Sequence, residues 1–129
     1  MEELYHEGKI KAIGVSNFLP DRLMDLIMHN EIVPAVNQVE THPFYHQTES
    51  ATLMKEQGVQ HQSWAPFAEG LNNMFGNEVL IVENFDIFDL ELSTEDIEQI
   101  TALDTRKSLF LSYHDPEVAK MMGNWKIDL

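Results

Sequence analysis

The chain has 129 residues, 43% hydrophobic and 23% charged, room for about one domain of ordinary globular balance. Eight lysines and arginines against 22 aspartates and glutamates give a formal net charge of −14, which argues against nucleic acid or an anionic lipid surface as partner. Without cysteine there is neither a disulfide framework nor a thiolate nucleophile, and no run of about 18 apolar residues offers a membrane span.

Met1 to Glu7 reads as the last turns of a helix, closed by Gly8 and followed by Lys9 leading into a strand. This start is acidic and has no apolar stretch of the kind a secretory signal needs, so a cytoplasmic protein is expected. A short β-branched strand then ends abruptly at Ser16-Asn17. Pro20-Asp21 opens a helix through about His29, with Leu23, Leu26 and Ile27 on one face. Ile32 to Pro34 is a loop, Ala35 to Glu40 a second strand, and Thr41 to Phe44 another loop. A second helix is expected from Gln47 to about Glu56, stopped by Gln57-Gly58; a third strand follows from Val59 to Trp64, then a loop from Ala65 to Asn73.

Strand, helix, strand, helix, strand at spacings of about 20 to 25 residues is the pattern of parallel βαβ units. Right-handed crossovers place all three strand C-termini on one face, the end of such sheets where ligands bind. The order then breaks down. Ile81 to Phe88 reads as helix, and Ser93-Thr94-Glu95-Asp96 as an N-cap with acidic residues in its first turn, opening a short helix to about Leu103. No fourth strand is expected, and residues 104–129 read as an extended tail with a short helix at Glu117 to Met122.

On pattern alone the polar residues at the strand ends have plain explanations. Ser16 and Asn17 suit a helix start, Gln38 a strand position satisfying nearby backbone, Trp64 a core aromatic, and Glu83-Asn84 a solvated helix face. His42 and His46 with Glu40 invite a metal reading, but their spacing matches no established zinc pattern, and no metal site is expected. Gly70 is isolated and forms no phosphate-cradling loop.

Four stretches change the weighing. Gly8-Lys9-Ile10-Lys11-Ala12-Ile13-Gly14-Val15-Ser16-Asn17-Phe18, Asn37-Gln38-Val39-Glu40-Thr41-His42-Pro43, Trp64-Ala65-Pro66-Phe67-Ala68-Glu69-Gly70 and Ile81-Val82-Glu83-Asn84-Phe85-Asp86-Ile87-Phe88 stand in the order found in one family. The chain resembles the aldo-keto reductases, bacterial members of the diketo-gulonate and glyoxal reductase type. The resemblance implies an α/β fold, a partial (β/α)8 TIM barrel of about three parallel strands with flanking helices. It implies NADP as cofactor and reduction of small aldehydes or ketones to alcohols. Carried over by position, Ser16, Asn17 and Gln38 match the residues that bond the nicotinamide carboxamide, whose oxygen and two N–H groups suit hydroxyl and amide partners. Trp64 matches the aromatic that stacks on the nicotinamide ring, Phe67 an apolar position of the pyrophosphate loop, and Glu83 and Asn84 the pair that contacts adenine.

The resemblance also marks what is missing. The family's catalytic Asp, Tyr, Lys and His lie on earlier strands, and Tyr5, Tyr45 and Tyr113 do not stand in the motif of its proton donor. Between Leu80 and Ile81 the family has a further helix, its eighth strand with a Lys-Ser motif, and an Arg that together grip the 2′-phosphate. Residues 1–129 are therefore expected to form a truncated reductase domain with an internal deletion: no catalytic residue, and weak or absent NADP binding. The alternative is a non-catalytic remnant, or an α/β module that self-associates through unpaired strand edges.

Overall fold

A computed structural model of the chain describes residues 1–85, 92–112 and 115–125. The five-residue helix α1, Glu2–His6, ends as expected: Gly8 takes a φ of 69°, in the left-handed region open to glycine, and the Lys9 and Ile10 amides both donate to the Leu4 carbonyl. Those bonds keep residues 9 and 10 wound onto the helix end. Strand β1 is consequently only Gly14–Ser16, shorter than its β-branched lead-in suggests. Gly14 is required there by space, because a Cβ would lie 2.7 Å from Val36 Cγ1 on the neighbouring strand.

Helix α2, Pro20–His29, has proline at its first position, where the missing N–H costs nothing. Strand β2 is Val36–Glu40, helix α3 Thr48–Glu56, and strand β3 Gln60–Trp64. The three strands form one parallel sheet in the order β1-β2-β3, with Ser16, Gln38 and Gln62 in one row and Glu40 opposite Trp64. This is the α/β arrangement expected.

Alternation along the strands gives the sheet two unlike faces. On one, Leu23, Val39, Met54 and Val59 form a core supported by Val15, Phe18, Ile27 and Leu53, so that α2 and α3 cover that side. Burying a side chain the size of Leu23 stabilises by about 1.5–3 kcal/mol. The opposite face carries Ser16, Gln38, Gln60 and Gln62, of which Ser16, Gln60 and Gln62 are exposed. Parallel sheets normally have both faces covered; here the helices cover one, and the other is buried at its Glu40 end.

After β3 the chain departs from the expected loop. Ala68–Gly76 winds into 3-10 turns broken by left-handed residues at Glu69, Gly70, Asn72 and Asn73. Ala68, fully buried, joins Phe44, Met74 and Leu80 in a second core backed by Ile100, Leu103 and Leu109. Helix α4 is Glu78–Phe85, beginning earlier than expected because the Asn77 side chain accepts from the Val79 amide at 3.0 Å. The last part of the expected helix, residues 86–88, lies outside the described residues.

Helix α5, Thr94–Ala102, opens on the Ser93 N-cap as expected, with Ser93 and Asp96 exchanging bonds in a capping box. Helix α6, Pro116–Gly123, is capped by Asp115, whose carboxylate accepts from the Glu117 amide at 2.9 Å. Among the described residues no helix is long and apolar enough to cross a membrane.

Candidate functional site

The C-terminal ends of the three strands carry the residues singled out above, and a chain of hydrogen bonds joins four of them. Asn17, just past β1, has a φ of 59°, a left-handed conformation that asparagine tolerates better than most residues. Its backbone N–H donates to the Gln38 carbonyl at 2.9 Å, and the Ser16 hydroxyl donates to the same oxygen at 3.0 Å. The Asn17 side-chain amide donates to Ser16 Oγ at 3.2 Å, and the Trp64 indole N–H donates to Asn17 Oδ1 at 2.8 Å. Ser16, Asn17, Gln38 and Trp64 are thus brought together across all three strands.

The turn that presents them is held from the other face. Asn37 is completely buried, and its amide donates to the Phe18 carbonyl at 2.7 Å while its Oδ1 accepts from the Phe18 N–H at 3.3 Å. A buried asparagine must find partners, and this one locks the backbone beside Asn17. The sequence pattern alone gives Asn37 no role; an amide in the interior of a buried strand is the signal that it has one.

Glu40 is a second residue whose task emerges only from the fold. It is 1% exposed, yet its carboxylate accepts from three donors: His42 Nε2 at 2.9 Å, the Leu109 N–H at 2.9 Å and the Ser108 hydroxyl at 2.5 Å. His42 Nδ1 accepts from the Phe44 N–H at 3.2 Å, which leaves Nε2 as the protonated nitrogen of a neutral imidazole. Residues 104–112, expected as part of an extended tail, are pinned to the sheet by this carboxylate and by Thr105, whose N–H and hydroxyl both donate to the Phe44 carbonyl. Phe110 then leans against Trp64, ring centroids 5.2 Å apart at 55°. His46 turns away to Asp104, 3.9 Å distant, so the three candidates for a metal reading do not converge. No group of three or more metal-ligating side chains occurs among the described residues.

Burial, with the Glu40 and Asp104 carboxylates adding to it, pushes the Tyr45 phenol above its ordinary pKa and keeps it neutral. His61, on the helix-covered side of β3 and 2.9 Å from the Thr41 hydroxyl, is lowered by burial.

The remaining expected residues stand apart. Phe67 is 52% exposed and stacks loosely with Phe75, centroids 6.1 Å apart. Glu83 and Asn84 lie on the backbone of α4, and their side chains are outside the described residues, as is Tyr113.

The rim can seat a carboxamide. The Gln38 side chain has no hydrogen bond among the described residues and offers both donor and acceptor, and Ser16 Oγ keeps a lone pair. Asn17 is already engaged at both ends and serves to position Ser16 and Trp64. Phosphates fare worse: residues 65–81 include Glu69 and Glu78 and neither lysine nor arginine.

Comparison with known proteins agrees with the fold. A sequence profile described as the Aldo/keto reductase family matches residues 1–79, ending one residue before the Leu80-Ile81 junction. A glyoxal reductase of Bacillus subtilis is 38% identical over 138 aligned positions, covering 80% of this chain and 49% of that protein. Because 80% of 129 residues is about 103, some 35 of those positions have no counterpart here. The crystal structure of MGS-M4, an aldo-keto reductase from a Medee basin deep-sea metagenome library, superposes with a TM-score of 0.73 at 30% identity, over 88% of this chain and 55% of that one. A silkworm (Bombyx mori) aldo-keto reductase solved in complex with NADPH shares the fold at a TM-score of 0.71 and 21% identity, over 83% of this chain and 46% of its own. The chain therefore spans about half the length of the relatives it matches.

Proposed function

The chain belongs to the aldo/keto reductase family, and from that membership we propose that it is a partial barrel of an NADPH-dependent oxidoreductase of aldehydes and ketones, keeping the nicotinamide seat without the acid that completes reduction. Residues 1–129 correspond to about half of a reductase domain, without the segment that the family carries between Leu80 and Ile81. The single observation carrying this reading is the hydrogen-bonded set Ser16, Asn17, Gln38 and Trp64 at the ends of three adjacent parallel strands.

NADPH, when bound to a whole relative, supplies the hydride that reduces a carbonyl. In this chain Ser16 and Gln38 hold the carboxamide, Asn17 fixes Ser16 and Trp64 in place, and Trp64 borders the ring. Phe67, Glu83 and Asn84 are assigned to the pyrophosphate and adenine ends on the resemblance alone. Reduction also needs a proton delivered to the developing alkoxide, from a group whose pKa suits neutral pH. Tyr45 is shifted in the opposite direction and does not fill that place. A cytoplasmic location belongs to the same proposal.

Titration of NADPH into a Trp125→Phe variant, read by Trp64 fluorescence, tests the seat: weak saturable quenching is expected, abolished in Ser16→Ala/Gln38→Ala. No NADPH oxidation should accompany a panel of small aldehydes. Turnover by the pure chain above an empty-vector preparation overturns the second half of the reading, and absence of quenching the first.

A second reading is favoured by the exposed polar face and the unpaired outer edges of β1 and β3 among the described residues. Such edges pair with other chains, giving a self-associating, non-catalytic module. Size-exclusion profiles that stay monomeric across a hundredfold range of concentration would exclude it.

A further inference from the structure

Side chains two positions apart along a strand share a face. Glu40 and Trp64, opposite each other in the register, therefore stand on the side of the sheet that carries Ser16 and Gln38. A nicotinamide would meet Ser16, Gln38 and the indole from that side. The chain's own 108–112 segment is fastened there too: the Glu40 carboxylate accepts from the Ser108 hydroxyl at 2.5 Å and the Leu109 N–H at 2.9 Å. Ser108 Oγ in turn accepts from the Phe110 and Leu111 amides at 3.1 and 3.0 Å, which folds the segment into a tight turn around Phe110. The Phe110 ring lies 5.2 Å from Trp64 and 6.3 Å from His42, centroid to centroid. Trp64 is held from its other end, its indole N–H donating to Asn17 Oδ1 at 2.8 Å.

We propose that residues 108–112 form an autoinhibitory strap, with Phe110 resting on the indole where a cofactor ring would stack. The inference rests on the nicotinamide seat described under Proposed function and adds a control to it. Two rings cannot take the same side of one indole, so seated Phe110 and bound NADPH exclude each other. Apparent affinity is then the intrinsic affinity reduced by the fraction of molecules whose strap is lifted. That fraction is small, because lifting breaks two bonds to a buried carboxylate. Weak NADPH binding thus has a cause in the strap, besides the lack of lysine and arginine in residues 65–81.

The test uses the full chain with Trp125→Phe, which leaves Trp64 as its single tryptophan, and the same chain carrying in addition Phe110→Ala or Ser108→Ala. Acrylamide, a small neutral quencher, reads the exposure of Trp64 without any cofactor, and NADPH reads the seat. Phe110→Ala should raise acrylamide quenching and tighten NADPH about threefold to tenfold, the scale of one aromatic contact. Ser108→Ala loosens the turn and keeps the ring, so it should move both readouts the same way by less; it decides alone should Phe110→Ala fail to fold. Acrylamide quenching that stays unchanged overturns the contact and the strap with it. NADPH affinity unchanged or weakened by Phe110→Ala, where the parent chain binds, overturns the strap and leaves the seat standing. Absence of NADPH quenching in all three proteins overturns the seat, and the strap falls with it.

Discussion

Replacing Glu40 by glutamine keeps the shape of the side chain and removes one acceptor from the point where the 104–112 segment joins the sheet. The carboxylate accepts from His42 and Leu109 on Oε1 and from Ser108 on Oε2. With its oxygen left in the first position, the glutamine turns its amide toward Ser108 Oγ, which already accepts from the Phe110 and Leu111 amides at 3.1 and 3.0 Å. One strong bond is lost and two are weakened. Bonds to a carboxylate contribute about 1.5–3 kcal/mol against about 1 for neutral pairs, giving a gross loss of about 2.5–7 kcal/mol. Relief of the desolvation cost of a buried carboxylate offsets part of it, so about 2 kcal/mol is expected.

For a domain of this size that lowers the melting temperature by roughly 6–10 °C. Because Arg106 and Lys107 lie in the released segment, trypsin should cut there sooner, and Trp64 fluorescence should change as Phe110 leaves it. Ser108→Ala should cost less, and the double variant should be less destabilised than the sum by about 1 kcal/mol. A Glu40→Gln protein that melts within about 2 °C of wild type with unchanged tryptic cleavage would refute the argument that this carboxylate anchors the segment.

Other perturbations follow from the packing. Leu23→Ala opens a cavity among Val39, Met54 and Val59 and should cost about 2–5 kcal/mol in urea unfolding; a loss below about 1 would mean the site collapses or is not the core. Gly14→Ala sets a methyl 2.7 Å from Val36 Cγ1, so a loss of about 1–3 kcal/mol is expected, and Val36→Ala should partly restore it. Burial lowers the pKa of His61, so its contribution is present above the unfolded value near 6.5 and fades as pH falls through the lower folded value. His61→Gln should flatten the stability profile as pH falls below about 6.5. Asp96, lowered chiefly by the Ser93 side-chain bond and next by its backbone bond, acts in the same sense at more acidic pH, where Asp96→Asn should remove the dependence. With no lysine or arginine in residues 65–81, NADPH and NADH should quench Trp64 with affinities within about threefold of each other, since no charge-assisted bond distinguishes the 2′-phosphate.

The local signals were strong enough to be read directly. Pro20 at a helix start, the Ser93 N-cap, Gly58 past a helix end and three β-rich runs at even spacing each act through their own backbone or a neighbour three or four residues away, and each element formed where expected, β1 in shortened form. The strand-end residues were legible for the same reason: Ser16 and Gln38 share a row once the strands are known to be parallel.

Long-range partners were not legible. Glu40 meets Ser108 and Leu109 from 68 and 69 positions away, and Trp64 reaches Asn17 across 47. Nothing in the composition of residues 104–112 announces such a carboxylate, so the segment read only as part of an extended tail. Likewise the lead-in to β1 is wound back onto the helix end by the Lys9 and Ile10 bonds to Leu4, which propensity does not register. Turn chemistry and periodicity are encoded by neighbours along the chain; which buried oxygen finds which donor is decided only when desolvation forces every polar group in the packed interior to find a partner.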